Sequence, residues 1–93
     1  MAQINWTKKS LKDLRSINDY ISLDSVFYAA RFINKLIGRV DQLFEFPESG
    51  RMVPEKNDPE IRELIEGNYR IFYRLRKEKI IILRIHNAAR RIK

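Results

Sequence analysis

The C-terminal stretch RIHNAARRIK holds the side chains of this sequence that are best suited to chemistry. It contains His86, the single histidine of the chain, together with Arg84, Arg90 and Arg91. Imidazole is the side chain that most readily exchanges a proton near neutral pH, and neighbouring guanidinium groups favour its neutral form. The stretch could therefore carry a proton, bind a polyanion or form an ordinary terminal segment, and the residues alone leave all three open.

Positive charge is concentrated at this end of the chain. The net charge is +7, yet residues 67–93 contain nine lysines and arginines against one acidic residue, Glu78. The segment carries +8 and the rest of the chain −1. Such asymmetry is typical of a protein whose one end faces an anionic partner.

The composition excludes several classes of protein. Ninety-three residues predict a single domain spanning 1–93. With no cysteine and one histidine, neither a disulfide nor a thiolate or multi-histidine metal site can form, and no cofactor is expected. The N-terminus has no apolar signal core, and the aliphatic run IIIL is too short to cross a bilayer. We therefore expect a cytoplasmic protein without a membrane partner.

The chain reads as one short strand, two helices and three further strands. Residues 2–6 predict the first strand, and apolar side chains at spacings of three and four then predict two helices. Thr7 can cap the first helix, and Asp24 or Ser25 the second. Residues 51–60 resemble a loop, and 60–66, 68–76 and 79–86 resemble strands. The predicted fold is α/β (α+β), with the order β-α-α-β-β-β: a helix hairpin packed on one face of a mainly antiparallel four-stranded sheet.

Alternation along the last two strands predicts a basic sheet face. In 68–76 one side carries Tyr69, Ile71, Tyr73 and Leu75, and the other Arg70, Phe72, Arg74 and Arg76. In 79–86 one side carries Ile81, Leu83 and Ile85, and the other Ile80, Ile82, Arg84 and His86. If the more apolar sides pack on the helices, Arg70, Arg74, Arg84 and His86 gather around Phe72. Arg62 remains a candidate because the parity of its strand is ambiguous.

The order of the motifs resembles that of a known family. The motifs are PESGRMVPE, REL, YRIFYR, IIILRIH and a trailing arginine pair, and they follow the predicted helix hairpin. From Trp6 to Arg91 the chain is similar to the RelE/ParE superfamily, the toxins of bacterial type II toxin–antitoxin modules. The blocks Pro47 to Arg51 and Tyr69 to Arg74 look closer to the ParE-like side.

The resemblance implies a toxin neutralised by a cognate antitoxin, and it leaves two targets. ParE-like members poison DNA gyrase, which requires an exposed surface and no catalytic residue. RelE-like members cut mRNA on the ribosome, which requires an acid, a base and cations for the phosphate. The polyanion-binding candidates under either target are Arg62, Arg70, Arg74, Arg84, Arg90 and Arg91. Whether the protein is an enzyme stays open; if it is a nuclease, the catalytic candidates are His86, Arg70 and Arg84.

Two further expectations concern partners. On the predicted outer face, Phe72, Ile80 and Ile82 lie partly bare beside arginines, and an apolar patch rimmed by charge suggests a protein-binding surface. A small, acidic, amphipathic antitoxin suits it as an added strand or as a helix in a groove. A third hypothesis is that the protein is a non-toxic relative that binds nucleic acid or another protein.

Overall fold

The computed structural model describes residues 2–88 as two helices and one mixed sheet. The elements are β1 (Gln3–Trp6), α1 (Lys8–Ser22), α2 (Val26–Asp41), a 3-10 turn (Gln42–Phe44), β2 (Arg51–Met52), β3 (Ile61–Glu66), β4 (Tyr69–Arg76) and β5 (Lys79–Asn87). The strand order is β1-β5-β4-β3-β2; β1 is parallel to β5, and the other neighbours are antiparallel. The predicted α+β fold is confirmed. The sheet differs in being mixed and in having a fifth strand, β2, inside the segment predicted to be a loop.

Both helices begin at hydroxyl caps. The Thr7 Oγ1 atom accepts a hydrogen bond from the Ser10 amide at 3.0 Å and donates one to the Ile82 carbonyl at 2.8 Å. Ser25 Oγ accepts from the Tyr28 amide at 3.0 Å, so Ser25 rather than Asp24 caps α2. Such caps typically stabilise a helix by about 1 kcal/mol. Thr7 also fixes the start of α1 against β5, which places α1 beside the end of that strand.

The main core lies between the helices and the sheet. Leu36 and Val40 of α2 are fully buried, as are Ile71 and Tyr73 of β4. Each such side chain contributes about 1.5–3 kcal/mol when it leaves water. The alternation predicted for β4 is confirmed, because the side of Ile71 and Tyr73 is the one that packs on the helices.

A β-bulge reverses the predicted alternation of β5. Phe72 is paired with Arg84, but Tyr73 is paired with Ile82, so Leu83 is an extra residue on β5. An extra residue moves all side chains before it to the opposite face. Ile80 and Ile82 consequently lie in the main core at 0% exposure. The prediction that these two residues are partly bare on the outer face, where an antitoxin could contact them, is wrong.

The outer face of the sheet is partly covered by the chain itself. Val53, Ile61 and Phe72 form a second buried cluster, with Leu83 packed against it. Val53 lies just after β2, so the segment that follows it runs across the face that holds Phe72. Phe72 is 5% exposed and cannot offer the bare aromatic ring that its sequence position suggested.

Tyr73 ties the segment before β2 to the core. Its hydroxyl donates a hydrogen bond to the Pro47 carbonyl at 2.9 Å and accepts one from the Gly50 amide at 2.9 Å. A Cβ added to Gly50 would lie 2.5 Å from that hydroxyl and 2.8 Å from the Glu63 carbonyl oxygen. Gly50 is therefore required by close approach of the backbone to a buried ring.

We predict opposite effects for alanine at two glycines. Gly50→Ala should lower the free energy of unfolding by about 2 kcal/mol, because the new methyl group overlaps the Tyr73 ring. Gly38→Ala, within α2, should raise it by about 0.5–1 kcal/mol, because nothing lies within 4 Å of the added Cβ and alanine favours the helix. Urea unfolding followed by circular dichroism measures both. Equal midpoints for the two variants would contradict the packing around Tyr73.

Candidate functional site

Three of the predicted site residues meet on the outer face of the sheet. Arg70 of β4 is paired across the strands with His86 of β5. The Arg70 guanidinium carbon lies 4.9 Å from the centre of the Phe72 ring. The His86 ring meets the same ring edge-on, with centres 5.8 Å apart and planes at 80°. Phe72 thus forms the apolar floor on which Arg70 and His86 lie.

Arg70 is held by two carboxylates. Its Nε donates to Glu63 Oε2 at 2.6 Å, and its terminal nitrogens donate to the two oxygens of Glu55 at 2.7 and 2.9 Å. The hydrogen bonds from Arg70 lower the pKa of Glu55 to about 2. The same hydrogen bonds, first that to Glu55, raise the pKa of Arg70. Both groups therefore stay ionised across the physiological range, and the charge of Arg70 is balanced within the protein.

Glu63 is a site residue that the sequence did not reveal. It is 1% exposed, and its second oxygen accepts from the Arg51 Nε at 2.6 Å. One buried carboxylate thus orients two arginines, from β2 and β4. The sequence could have indicated this role, because Glu63 follows Ile61 by two residues and so shares its side of β3. A carboxylate on a covered side of a sheet needs a partner of opposite charge.

The next arginines along β4 are also paired. Arg74 Nη1 lies 2.8 Å from Glu60 Oε1 and 3.2 Å from Asp58 Oδ2. Arg76 donates from Nε to Glu60 Oε2 at 3.1 Å. The hydrogen bonds from Arg76 and Arg74 lower the pKa of Glu60. The acidic residues just before β3 therefore neutralise this end of the predicted basic face.

Arg84 turns away from Phe72 towards helix α1. Its Nε donates to Asp13 Oδ2 at 2.8 Å, and the Ile85 amide donates to the same oxygen at 2.9 Å. Burial raises the pKa of Asp13, but the hydrogen bonds from Arg84 and Ile85, with the charge of Arg84, outweigh it and leave the pKa below its ordinary value. Asp13 thus caps the edge of β5 beyond the end of β1 and removes Arg84 from the group around Phe72.

Arg62 lies on the opposite side of the sheet. It is paired in register with Tyr73, and its Nη1 donates to the Gly50 carbonyl at 2.8 Å. Its Nε is buried without a hydrogen-bond partner within residues 2–88. Arg62 therefore supports the segment before β2 and does not join Arg70. Arg90 and Arg91 lie outside the described residues.

These pairs correct the prediction of an open basic face. Arg70 and Arg74 do lie on the outer face, but their charges are balanced by carboxylates from residues 55–63, and Arg84 is bound to α1. The acidic partners come from earlier in the chain. The excess of positive charge in residues 67–93 therefore does not give a surface of equally high positive charge. The site is a set of oriented arginines that are already occupied.

We predict a loss of stability in acid from these pairs. The pKa values of Asp13, Glu55, Asp58 and Glu60 are lowered in the folded protein, so the unfolded chain binds protons more readily as the pH falls. Their contribution is complete above their ordinary values and, for Glu55, is lost from about 4.5 down to about 2. Thermal unfolding between pH 7 and pH 2 should show the midpoint falling through this window. A midpoint that is constant down to pH 2 would contradict the ion pairs.

Comparison with known proteins decides the family. The family described as the ParE toxin of the type II toxin–antitoxin system parDE matches residues 4–92. The chain belongs to the ParE toxin family. It is the toxin of a type II toxin–antitoxin module, and a ParDE-type toxin implies a cognate antitoxin. The resemblance to the RelE/ParE superfamily, which rested on the order of motifs from Trp6 to Arg91, is thereby confirmed.

Relatives of this ParE-family toxin support the assignment over nearly its whole length. It is 38% identical to Toxin RelE2 of Caulobacter vibrioides over 97% of its own chain and 99% of that protein. It superposes on a chain of the chromosomal ParDE system from P. aeruginosa with a TM-score of 0.76 and 27% identity, covering 94% and 96% of the two chains. A copper-bound mutant toxin from Helicobacter pylori, at a TM-score of 0.57 and 19% identity over 94% of each chain, shares the fold.

The end of the toxin's helix hairpin carries a large exposed apolar surface. We name it the hairpin-end patch; it consists of Tyr20, Leu23, Val26, Phe27 and Tyr28. Leu23 is 85% exposed and Phe27 73%. The Arg31 guanidinium lies 5.8 Å from the centre of the Phe27 ring. The sequence already indicated part of this patch, because Phe27 and Tyr28 fall outside the apolar stripe of α2 that packs on the sheet.

Two negative findings apply to residues 2–88 of the toxin. No group of three or more histidine, cysteine, aspartate or glutamate side chains there is arranged to hold a metal ion. Within the same range no helix has the length and apolar character needed to cross a membrane.

Proposed function

We propose that this toxin arrests growth by poisoning DNA gyrase in the cytoplasm. The family match and the likeness to a ParDE toxin support a ParE-like mode of action. A gyrase poison needs a surface that holds an enzyme–DNA complex and needs no catalytic group. The outer face around Arg51 and Arg70 and the basic segment after β5 are the proposed contact region.

The main support for this proposal is that the arginines of the predicted site are already bound to carboxylates of the protein. A nuclease of the RelE type requires free cations around its acid and base, because negative charge develops on the phosphate as the bond breaks. In residues 2–88, Arg70, Arg74 and Arg84 are each bound to carboxylates. The Tyr73 hydroxyl is held by Pro47 and Gly50 inside the protein. Within the described residues these side chains therefore do not supply free cations around His86, which favours a toxin that acts by surface contact over one that cuts RNA.

The test is induced expression in a bacterial host that carries a reporter plasmid. We expect growth arrest together with loss of negative supercoils in the plasmid, which agarose gels with an intercalator resolve. Primer extension on abundant messages serves as the second readout. Arrest with normal superhelicity and new 5′ ends in mRNA would contradict the gyrase proposal, and no arrest at all would indicate a binding protein or a weakened copy.

Cleavage of mRNA on the ribosome is the second candidate. It is favoured by the position of His86, which lies against Phe72 and opposite Arg70, and by the name of the Caulobacter relative, RelE2. In that case His86 would be the acid or base, and Arg70 and Arg84 would hold the phosphate. His86→Ala should then abolish toxicity while circular dichroism shows that the variant is folded; a toxic His86→Ala variant would exclude this role.

The hairpin-end patch is the proposed contact surface of the antitoxin. Ile80 and Ile82 are buried and Phe72 is 5% exposed, so these three side chains offer little apolar area to a partner. An acidic amphipathic segment is the occupant that fits, because Arg31 lies beside Phe27 and the toxin carries a net charge of +7. Its apolar side would cover Leu23 and Phe27, and its carboxylates would meet Arg31.

A further inference from the structure

The orientation of the Arg70 side chain is fixed before any ligand arrives. Glu63 holds its Nε at 2.6 Å, and the ring of Phe72 lies under its guanidinium plane. We call the two terminal nitrogens, Nη1 and Nη2, the Arg70 fork. A planar fork of this kind donates two parallel hydrogen bonds to the oxygens of a carboxylate or a phosphate group. The rotamer entropy that such binding normally costs has therefore already been lost on folding.

The group that occupies the Arg70 fork is the carboxylate of Glu55. The two nitrogen–oxygen distances are 2.7 and 2.9 Å, one to each carboxylate oxygen. The Glu55 side chain is 36% exposed, whereas that of Glu63 is fully buried. Of the two carboxylates bound to Arg70, Glu55 is therefore the one that an incoming anion can reach and replace.

Glu55 can leave without disturbing the sheet. It lies in a turn closed by a hydrogen bond of 3.1 Å from the Lys56 amide to the Val53 carbonyl. Val53 anchors one end of this turn in the cluster with Ile61 and Phe72. Rotation of the Glu55 side chain or a small shift of the turn frees the Arg70 fork, while Glu63 continues to hold Arg70.

We propose that the Arg70 fork is a phosphodiester-binding site that the toxin masks with its own Glu55. With Glu55 in place, the charges of Arg51, Arg70, Glu55 and Glu63 sum to zero, and without it one positive charge remains. Arg51 adds a second cation, because it is bound to the other oxygen of Glu63 and its side chain is 61% exposed. A phosphate group of a nucleic acid would take the place of the Glu55 carboxylate.

This inference rests on the proposed action on a gyrase–DNA complex. It adds that the toxin's binding to other DNA is weakened. Phosphate contacts give affinity for any nucleic acid. A site closed by an internal carboxylate binds weakly to DNA at large and gains its phosphate contact where other interactions hold the DNA nearby. Occupancy of the site by DNA thus depends on how many phosphate groups are held close to it, and not on the net charge of the toxin.

The test compares the affinity of two charge-matched variants for a short oligonucleotide. The probe is a fluorescein-labelled single-stranded oligothymidylate, and fluorescence anisotropy gives the dissociation constant. Glu55→Gln should bind about tenfold more tightly than the wild type, since one competing charged hydrogen-bond pair is removed. Glu45→Gln removes the same charge at another exposed position and should change the affinity by no more than about twofold. Equal gains in the two variants would overturn the proposal.

A second variant and a competitor locate the binding. Arg70→Lys in the Glu55→Gln background keeps the charge but removes the fork, so the gain should disappear; a gain that persists would overturn the proposal. Circular dichroism checks that each variant is folded. At matched ionic strength, inorganic phosphate should compete far less well than unlabelled oligothymidylate. Equal competition by the two would overturn a phosphodiester site in favour of a site for free phosphate. Supercoiling by gyrase with wild-type toxin is scored separately, so failure here does not decide the target.

Discussion

Replacing Leu23 and Phe27 together by serine should abolish formation of the toxin–antitoxin complex. The two side chains are 85% and 73% exposed, so the substitutions remove partner contacts without opening the core. Central apolar anchors of an interface cost about 2 kcal/mol or more each when truncated, so a loss of at least about a thousandfold in affinity is expected. The measurement is co-purification, followed by titration calorimetry, with the cognate antitoxin.

Met52→Ser is the matched control for the hairpin-end patch. Met52 is 54% exposed on β2, and β2 lies at the far edge of the sheet from β1. This variant should retain the wild-type affinity for the antitoxin. If Met52→Ser weakens the complex as strongly as the double variant, or if the double variant still binds, the antitoxin does not use the hairpin-end patch.

Removing the Arg70 side chain should destabilise the toxin severely. Arg70→Ala leaves Glu63, at 1% exposure, with one of its two arginine partners. Breaking one side of a buried ion pair costs about 3 kcal/mol. A chain of 93 residues has little stability to lose, so urea unfolding should show the midpoint falling sharply.

The double variant Arg70→Ala/Glu63→Gln separates this effect from a direct role in binding. It removes the buried charge, and we expect it to regain about half of the lost stability. Lys77→Ala, in the exposed turn between β4 and β5, removes a positive charge elsewhere and should leave the midpoint unchanged. An Arg70→Ala midpoint equal to that of the wild type would refute the buried pair. Toxicity lost in Arg70→Ala can be assigned to binding only if the double variant is stable and equally inactive.

Most of the fold could be predicted from the sequence because the patterns that specify it are local. The caps at Thr7 and Ser25 and the stripe of α2 depend on neighbours three or four residues away. The alternation of β4 depends on neighbours two residues away. The bulge at Leu83 was missed because it depends on pairing between two strands, and one extra residue was enough to move Ile80 and Ile82 into the core.

The candidate site was harder to predict because its partners are distant in sequence. Asp13 meets Arg84 across 71 residues, and Glu55 meets Arg70 across 15. Alternation predicted that Arg70 and Phe72 share a face, which the structure confirms. It could not predict that acids from residues 55–63 would fold over that face. Charge counted along a segment shows which side chains are present, whereas the surface potential depends on which of them meet.

The most direct test of a gyrase-poisoning toxin is a supercoiling assay with purified gyrase, relaxed plasmid and ATP. Increasing toxin should suppress supercoiling and trap linear plasmid, which is released as a cleaved product when the gyrase is digested. The antitoxin added in equimolar amount should restore activity. Full supercoiling at a large molar excess of folded toxin, together with cleavage of mRNA on translating ribosomes by the same preparation, would contradict the account.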